Sequence, residues 1–371
     1  MNNGVSVVVF EGSYPESEIE EAMALVRQAA LLDNLEKIRH VPELEKVYLF
    51  TNRPELEEPS ARLGAEVFLN STGPGNFHYG RELQAAVSRH ALNRVICMNG
   101  AGSPLITVEE LKMICRRLLS RERFVYTNNT QSVDIVAFTV PPEMGTVELP
   151  ATDNSLALTL RDQLHLEMEL MPHSLGLLFD IDTPSDLLVL GAGPFAGPRT
   201  AAAISSLDLD YSALEQAKAV LGDEYEDVAL IGRVGAPVIG RLNAILKLRL
   251  RVFSEERGMK SLGRIEANEV ISLLGLLIDH AGLDQFFCYL SSVARCAFID
   301  TRVLIHHYRQ DPPDRDRFLS DLGRWQEVEN PWLREFTKAA VQCPIPVVLG
   351  GHSLVSGSLW ALCSELDPAA R

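Results

Sequence analysis

Four short runs of β-branched, aromatic and other apolar residues, at 5–10, 47–50, 65–69 and 94–98, alternate with stretches of helical spacing, and this alternation constrains the first half of the chain most. A run that is apolar at every position suits a strand covered on both faces, as in parallel sheets flanked by helices. Residues 18–38 put Ala22, Leu25, Ala29, Leu32, Leu35 and Ile38 at helical spacing, with acids in the first turn where the helix dipole favours them. Helical spacing returns over 80–90, and Thr107-Val108-Glu109-Glu110 reads as a capping box opening a helix that runs to about Leu119. The pattern predicts a doubly wound, mainly parallel sheet. Strands expected at 133–140 and 146–149, and a helix within 151–170, make it a mixed one.

Residues 179–187 read Phe-Asp-Ile-Asp-Thr-Pro-Ser-Asp-Leu. Leu175, Leu177, Leu178 and Phe179 predict a strand leading into Asp180 and Asp182. Thr183 and Asp186 form a second capping box, with Pro184 at the first helical position. Strand-to-helix junctions are where α/β sheets bind ligands, and two carboxylates there could hold a divalent cation. The alternative reading makes Asp182 a capping residue and Asp180 a structural acid.

The chain has 371 residues, 46% of them hydrophobic, enough for two cores. We expect an α/β domain over 1–190, a linker over 191–210 marked by Gly191, Gly193, Pro194, Gly197 and Pro198, and an all-helical domain over 211–371. Helical spacing at 211–221, 228–257, 267–280, 284–294, 299–308, 315–325 and 331–341 supports the last, with 345–349 the one strand-like exception. A formal charge of −16 argues against nucleic acid or an anionic membrane as partner. The six cysteines form no C-x-x-C, no apolar run approaches the ~20 residues of a membrane helix, and the start, Met1-Asn2-Asn3-Gly4, lacks a basic leader. A cytoplasmic protein with reduced thiols is expected; the oligomeric state is not legible.

Cations gather where the rest of the chain is acidic. Between 228 and 264 stand Arg233, Arg241, Lys247, Arg249, Arg251, Arg257, Lys260 and Arg264, against only Glu255 and Glu256. Arg249, Arg251, Arg257, Lys260 and Arg264 are candidates to bind a small anionic acceptor through phosphate or carboxylate, and the glycines at 258 and 263 suit an anion-holding turn. The alternative is a solvated helix face, or pairing with the acidic first domain. Asp300 with His306-His307 could suggest a metal, but neighbouring helical residues point about 100° apart, so structural histidines are expected. Gly351-His352-Ser353 resembles a nucleophile elbow, yet Val355 replaces its second glycine and no histidine follows, so hydrolysis is set aside.

In order along the chain come the first strand and turn, Leu31-Leu32-Asp33-Asn34-Leu35-Glu36-Lys37-Ile38, Val47-Tyr48-Leu49-Phe50-Thr51-Asn52, Gly102-Ser103-Pro104-Leu105-Ile106-Thr107 and Phe179-Asp180-Ile181-Asp182-Thr183. Over roughly 5–190 this series resembles the nucleotide-diphospho-sugar transferase superfamily, in particular small nucleotidyltransferases similar to molybdenum-cofactor and 2-phospholactate guanylyltransferases. The resemblance implies a GT-A-type fold, a nucleoside triphosphate or nucleotide sugar over Gly12, Asn52, Asn99, Gly100 and Gly102, and Mg²⁺ on Asp180 and Asp182. Two motifs depart from the pattern. The first loop, Glu11-Gly12-Ser13-Tyr14-Pro15-Glu16, is acidic with one glycine where the family carries a Gly-rich cationic loop, and Asn99 stands near where it carries a metal-binding Asp. The resemblance therefore implies a Mg²⁺-dependent nucleotidyl transfer to a small anionic acceptor, or a non-catalytic nucleotide- or metabolite-binding protein on a degenerate form of that fold, or a glycosyltransferase using a nucleotide sugar.

Overall fold

The computed structural model describes residues 4–70, 73, 75–130 and 132–367; the N-terminal start, Met1-Asn2-Asn3-Gly4, falls partly outside them. The chain divides into two compact units that interleave in sequence: Met1–Tyr14, Arg27–Leu178 and Gly197–Thr200 in the first, Pro15–Val26, Phe179–Ala196 and Ala201–Arg371 in the second.

The first unit is built on a seven-stranded sheet of β1 (Val5–Glu11), β2 (Leu44–Thr51), β3 (Ala65–Leu69), β4 (Arg94–Asn99), β5 (Phe124–Thr127), β6 (Ile135–Thr139) and β7 (Glu167–Leu170), in the order β3-β2-β1-β4-β6-β5-β7. Only β6 runs antiparallel to its neighbours. The doubly wound, mainly parallel mixed sheet expected from the first half is what forms. β1 shows why its run is apolar throughout. Successive side chains point to opposite faces, so Val7 and Val9 pack with Leu31, Leu35, Leu111 and Ile114, while Val8 and Phe10 pack with Leu83, Val87, Leu156 and Leu160.

The helices of this unit follow their signals. The helix Val108–Leu119 opens on the complete Thr107/Glu110 capping box, which satisfies N–H groups the first turn cannot pair itself. The strand expected at 146–149 does not form: a 3-10 turn over Pro142–Thr146 ends at its first residue, and 147–149 pair with no strand. The expected helix within 151–170 is confined to Leu156–Asp162 and gives way to β7.

The second unit corrects the expectation of an all-helical domain. It contains β8 (Asp227–Gly232), β9 (Arg249–Ser254), β10 (Cys296–Asp300) and β11 (Val347–Gly350), forming a parallel sheet in the order β11-β10-β8-β9. The helix expected over 228–257 is therefore a strand, the helix Ala236–Ile245 and a second strand. Likewise 299–308 begins as the end of β10 before the helix Arg302–His307. Strands of four to six residues buried on both faces carry no period that separates them from a buried helical turn. Ala229, Ile231, Ala297 and Ile299 line one face against Phe286, Phe287, Leu290 and Phe336.

Two smaller corrections concern the stretch around the paired acids. Leu175–Leu178 forms a single helical turn, not a strand, with Gly176 packed so tightly that an added Cβ would meet Leu105 O at 2.9 Å. The region read as a linker carries the helix Pro198–Ser205. Its start belongs to the first unit because Asp33, buried, accepts from Thr200 N at 2.9 Å and Thr200 Oγ1 at 2.8 Å.

No helix among the described residues is long and apolar enough to cross a membrane.

Candidate functional site

In the first sheet the chain leaves β1 toward β2 and β3 on one side and reaches β4 on the other, so the strand order reverses between β1 and β4. At such a reversal the loops after the two strands part and leave a crevice at their carboxyl ends. Gly12, Asn52, Gly100 and Gly102 lie at that edge in the loops after β1, β2 and β4, and Asn99 is the last residue of β4. Asn52 fixes the first loop: its Oδ1 accepts from Ser13 N at 3.1 Å and its Nδ2 donates to Ser13 O at 3.0 Å. A side chain at Gly12 would approach that Oδ1 to 2.8 Å.

The loop after β4 is held equally closely. Asn99 Nδ2 donates to Asp153 Oδ2 at 2.5 Å. Gly100 and Gly102 are both buried; a Cβ at the first would meet Glu11 Oε2 at 2.5 Å, and at the second Asp134 O at 3.2 Å. Lys37 ties the loop down from the helix Glu18–Ile38 by donating to Pro104 O at 2.7 Å, and burial lowers its ammonium to about 8.

Glu11 is the residue whose role the sequence hides. It ends β1, is 3% exposed, and accepts from Arg27 Nε at 3.3 Å and Nη2 at 3.2 Å. The acidic character of the first loop was legible, but a buried carboxylate satisfied by an arginine one helix away was not. Asp153 and Asp134 were missed as well: Asp153 is met by Asn99 from the end of β4, and Asp134 by Asn128 across the loop between β5 and β6. The crevice is thus lined by amides, glycine backbone and carboxylates, and suits a polar ligand whose own negative charge is offset by a cation.

Asp180 and Asp182 belong to the second unit. Asp182 is exposed and its N–H donates to Asp186 Oδ2 at 3.1 Å; Asp180 is half-buried. The capping box reads as expected: Asp186 accepts from Thr183 N at 2.8 Å, with Pro184 at the first helical position. Among the described residues no group of three or more His, Cys, Asp or Glu could hold a metal ion. Two carboxylates without a third protein donor suit Mg²⁺ only where phosphate oxygens and water complete its octahedron.

The five basic candidates separate in the structure. Arg249 and Arg251 stand on the edge strand β9 and pair with Asp227 at 2.9 and 3.1 Å, while Arg264 pairs with Glu256 at 2.8 Å. Their charge is met by acids of their own unit. The side chains of Arg257 and Lys260, both exposed, make no hydrogen bond or ion pair among the described residues. Ser353 of the elbow-like motif is buried and donates to Asp186 Oδ2 at 2.6 Å, so its hydroxyl serves a helix cap.

No family model and no curated protein matches the chain. Solved structures similar to it are cytidylyltransferases and nucleotidyl transferases. A cytidylyltransferase from Leptospira borgpetersenii is 17% identical over 57% of this chain and 92% of its own, with a TM-score of 0.39. A nucleotidyl transferase from Methanothermobacter is 15% identical over 51% of this chain and 96% of its own, with a TM-score of 0.37. The 4-diphosphocytidyl-2C-methyl-D-erythritol synthase of Anaerococcus prevotii is 13% identical over 50% and 93%, with a TM-score of 0.34.

Proposed function

We propose that the first unit binds a nucleoside triphosphate or nucleotide sugar in the crevice over β1 and β4, in a protein of the nucleotidyltransferase class. The observation that carries this reading is the reversal of strand order between β1 and β4, with Asn99, Gly100 and Gly102 gathered beyond it. Glycine backbone lets phosphates approach closely, and amide side chains offer donors without adding charge. The reaction proposed is transfer of a nucleotidyl group to a small anionic acceptor in the cytoplasm. Such a transfer asks the protein for position and charge compensation, and no nucleophilic side chain is needed.

Mg²⁺ is part of the proposal, as the ion that would offset charge on the phosphoryl oxygens, and Asp180 and Asp182 are proposed as a carboxylate pair able to hold a divalent cation. A second reading is favoured by one specific observation: Glu11 occupies the carboxyl end of β1 and engages Arg27, the cation that reaches it. Such an arrangement supports binding of a nucleotide or metabolite without turnover.

The two readings part in one experiment. CTP, GTP, ATP and a nucleotide sugar are screened by thermal shift with and without Mg²⁺, and any hit is assayed for pyrophosphate release. A Mg²⁺-dependent rise in unfolding temperature with pyrophosphate release is expected for the enzyme; a shift without release selects the binding protein. Absence of any shift at millimolar nucleotide removes both.

A further inference from the structure

The second sheet has a strand reversal of its own. From β8 the chain turns to β9 on one side and later to β10 and β11 on the other, so the carboxyl ends of β8 and β10 flank a second crevice. Register brings the chemistry there together. Ile231 pairs with Ile299, Ile299 with Leu349, and Asp300 with Gly350, so the residues that follow Ile231, Ile299 and Leu349 leave the sheet at one level.

Gly232 has a φ of +109° and lies so close to β10 that a Cβ would fall 2.5 Å from Asp300 Cβ, so only glycine fits. Arg233 follows and is locked to Asp300, with Nε to Oδ2 at 2.6 Å and Nη2 to Oδ1 at 3.0 Å. Gly235 then opens the ten-residue helix Ala236–Ile245, which no side chain caps. A strand, a loop with glycines three apart and an uncapped helix start make a natural oxyanion cradle.

Two further groups point to a ligand. The Arg257 guanidinium packs over Gly235, its Nη1 3.1 Å from where a Cβ would stand, and it has no carboxylate partner among the described residues. His352, just beyond β11, has a buried Nδ1 with no hydrogen-bond partner. Burial and then Arg233 keep this imidazole neutral, with Asp300, Arg257 and Asp182 also acting on it. The Arg233–Asp300 pair is internally neutral, which leaves Arg257 as the unmatched cation and the helix start beside it as unmatched donors.

We propose that this crevice is a second binding site, independent of the nucleotide crevice of the first unit, and that it takes the phosphate group of a small phosphorylated metabolite, held by Arg257 and the backbone N–H groups of Gly235 and Ala236, those of Arg233 and Val234 being engaged by Asp300 Oδ2 and Gly232 O.

The test is calorimetric titration of the full chain with inorganic phosphate and with glycerol 3-phosphate. Saturable binding is expected, weakened about 10-fold or more in Arg257→Ala, as befits a lost charge-assisted bond, and less in Arg257→Lys. Because Arg257 makes no structural pair, the unfolding midpoint without phosphate should not move. Asn99→Ala, in the first unit, should leave phosphate affinity unchanged. Equal affinity in Arg257→Ala, absence of saturable binding by wild type, or loss of phosphate binding in Asn99→Ala would each overturn the proposal. The last outcome would place the anion in the first unit.

Discussion

Asp186→Ala is expected to destabilise the second unit by about 3–5 kcal/mol in denaturant unfolding, since several buried donors lose their acceptor at about 1–3 kcal/mol each. Asp186 is fully buried and accepts from Ser353 Oγ at 2.6 Å, Ser358 Oγ at 2.7 Å and Thr183 N at 2.8 Å. Its loss strands several buried donors at once. The same residue sets a pH dependence. Burial raises its carboxyl to about 6, against the lowering effect of the serine hydroxyls. An aspartate in the unfolded chain titrates near ~3.9, so between roughly pH 4 and 6 the folded state holds the extra proton. Stability from this group is therefore full at the lower end and falls as pH rises through 6. Asp186→Asn, which cannot titrate, should flatten that slope relative to wild type, and an unchanged slope would show that Asp186 is not its source.

Asp300→Ala is expected to cost a similar ~3–5 kcal/mol, because it leaves Arg233, whose side chain is 18% exposed, without its carboxylate. Burial works to raise the Asp300 carboxyl, and the field of Arg233 overcomes it, so the group titrates below the usual carboxylate range. Here the sign is opposite to Asp186: the stabilisation is present above ~3.9 and is lost as pH falls through the lower folded-state value. Arg233→Met combined with Asp300→Leu should cost less than the sum of the two single changes, since no uncompensated charge remains. Additive costs in that double-mutant cycle would mean that the pair does not couple.

Which features were legible in the sequence follows from how local their causes are. The capping boxes at Thr107/Glu110 and Thr183/Asp186 lie within four residues of sequence and appear as read. The first sheet was legible because its strands are separated by long stretches with clear helical spacing. The second was not, because Asp227–Gly232 runs within a few residues into Gly235, Pro237 and a short helix, with apolar residues predominating throughout. Long-range partners were invisible in the same way: nothing near Asp186 announces Ser353, and nothing near Glu11 announces that it is buried. The basic stretch shows the limit of composition. Its excess charge is real, but Asp227 and Glu256 absorb three of the five candidate arginines and lysines, and only geometry singles out Arg257.

Calorimetric titration of the wild-type chain with CTP and GTP in the presence of Mg²⁺, repeated with Asn99→Ala, tests the nucleotide crevice most directly. Saturable binding to wild type is expected, weakened about tenfold or more in the variant when both are titrated well below their unfolding midpoints. Equal affinity in Asn99→Ala, or no binding by wild type at millimolar nucleotide, would contradict a nucleotide site at the β1/β4 reversal.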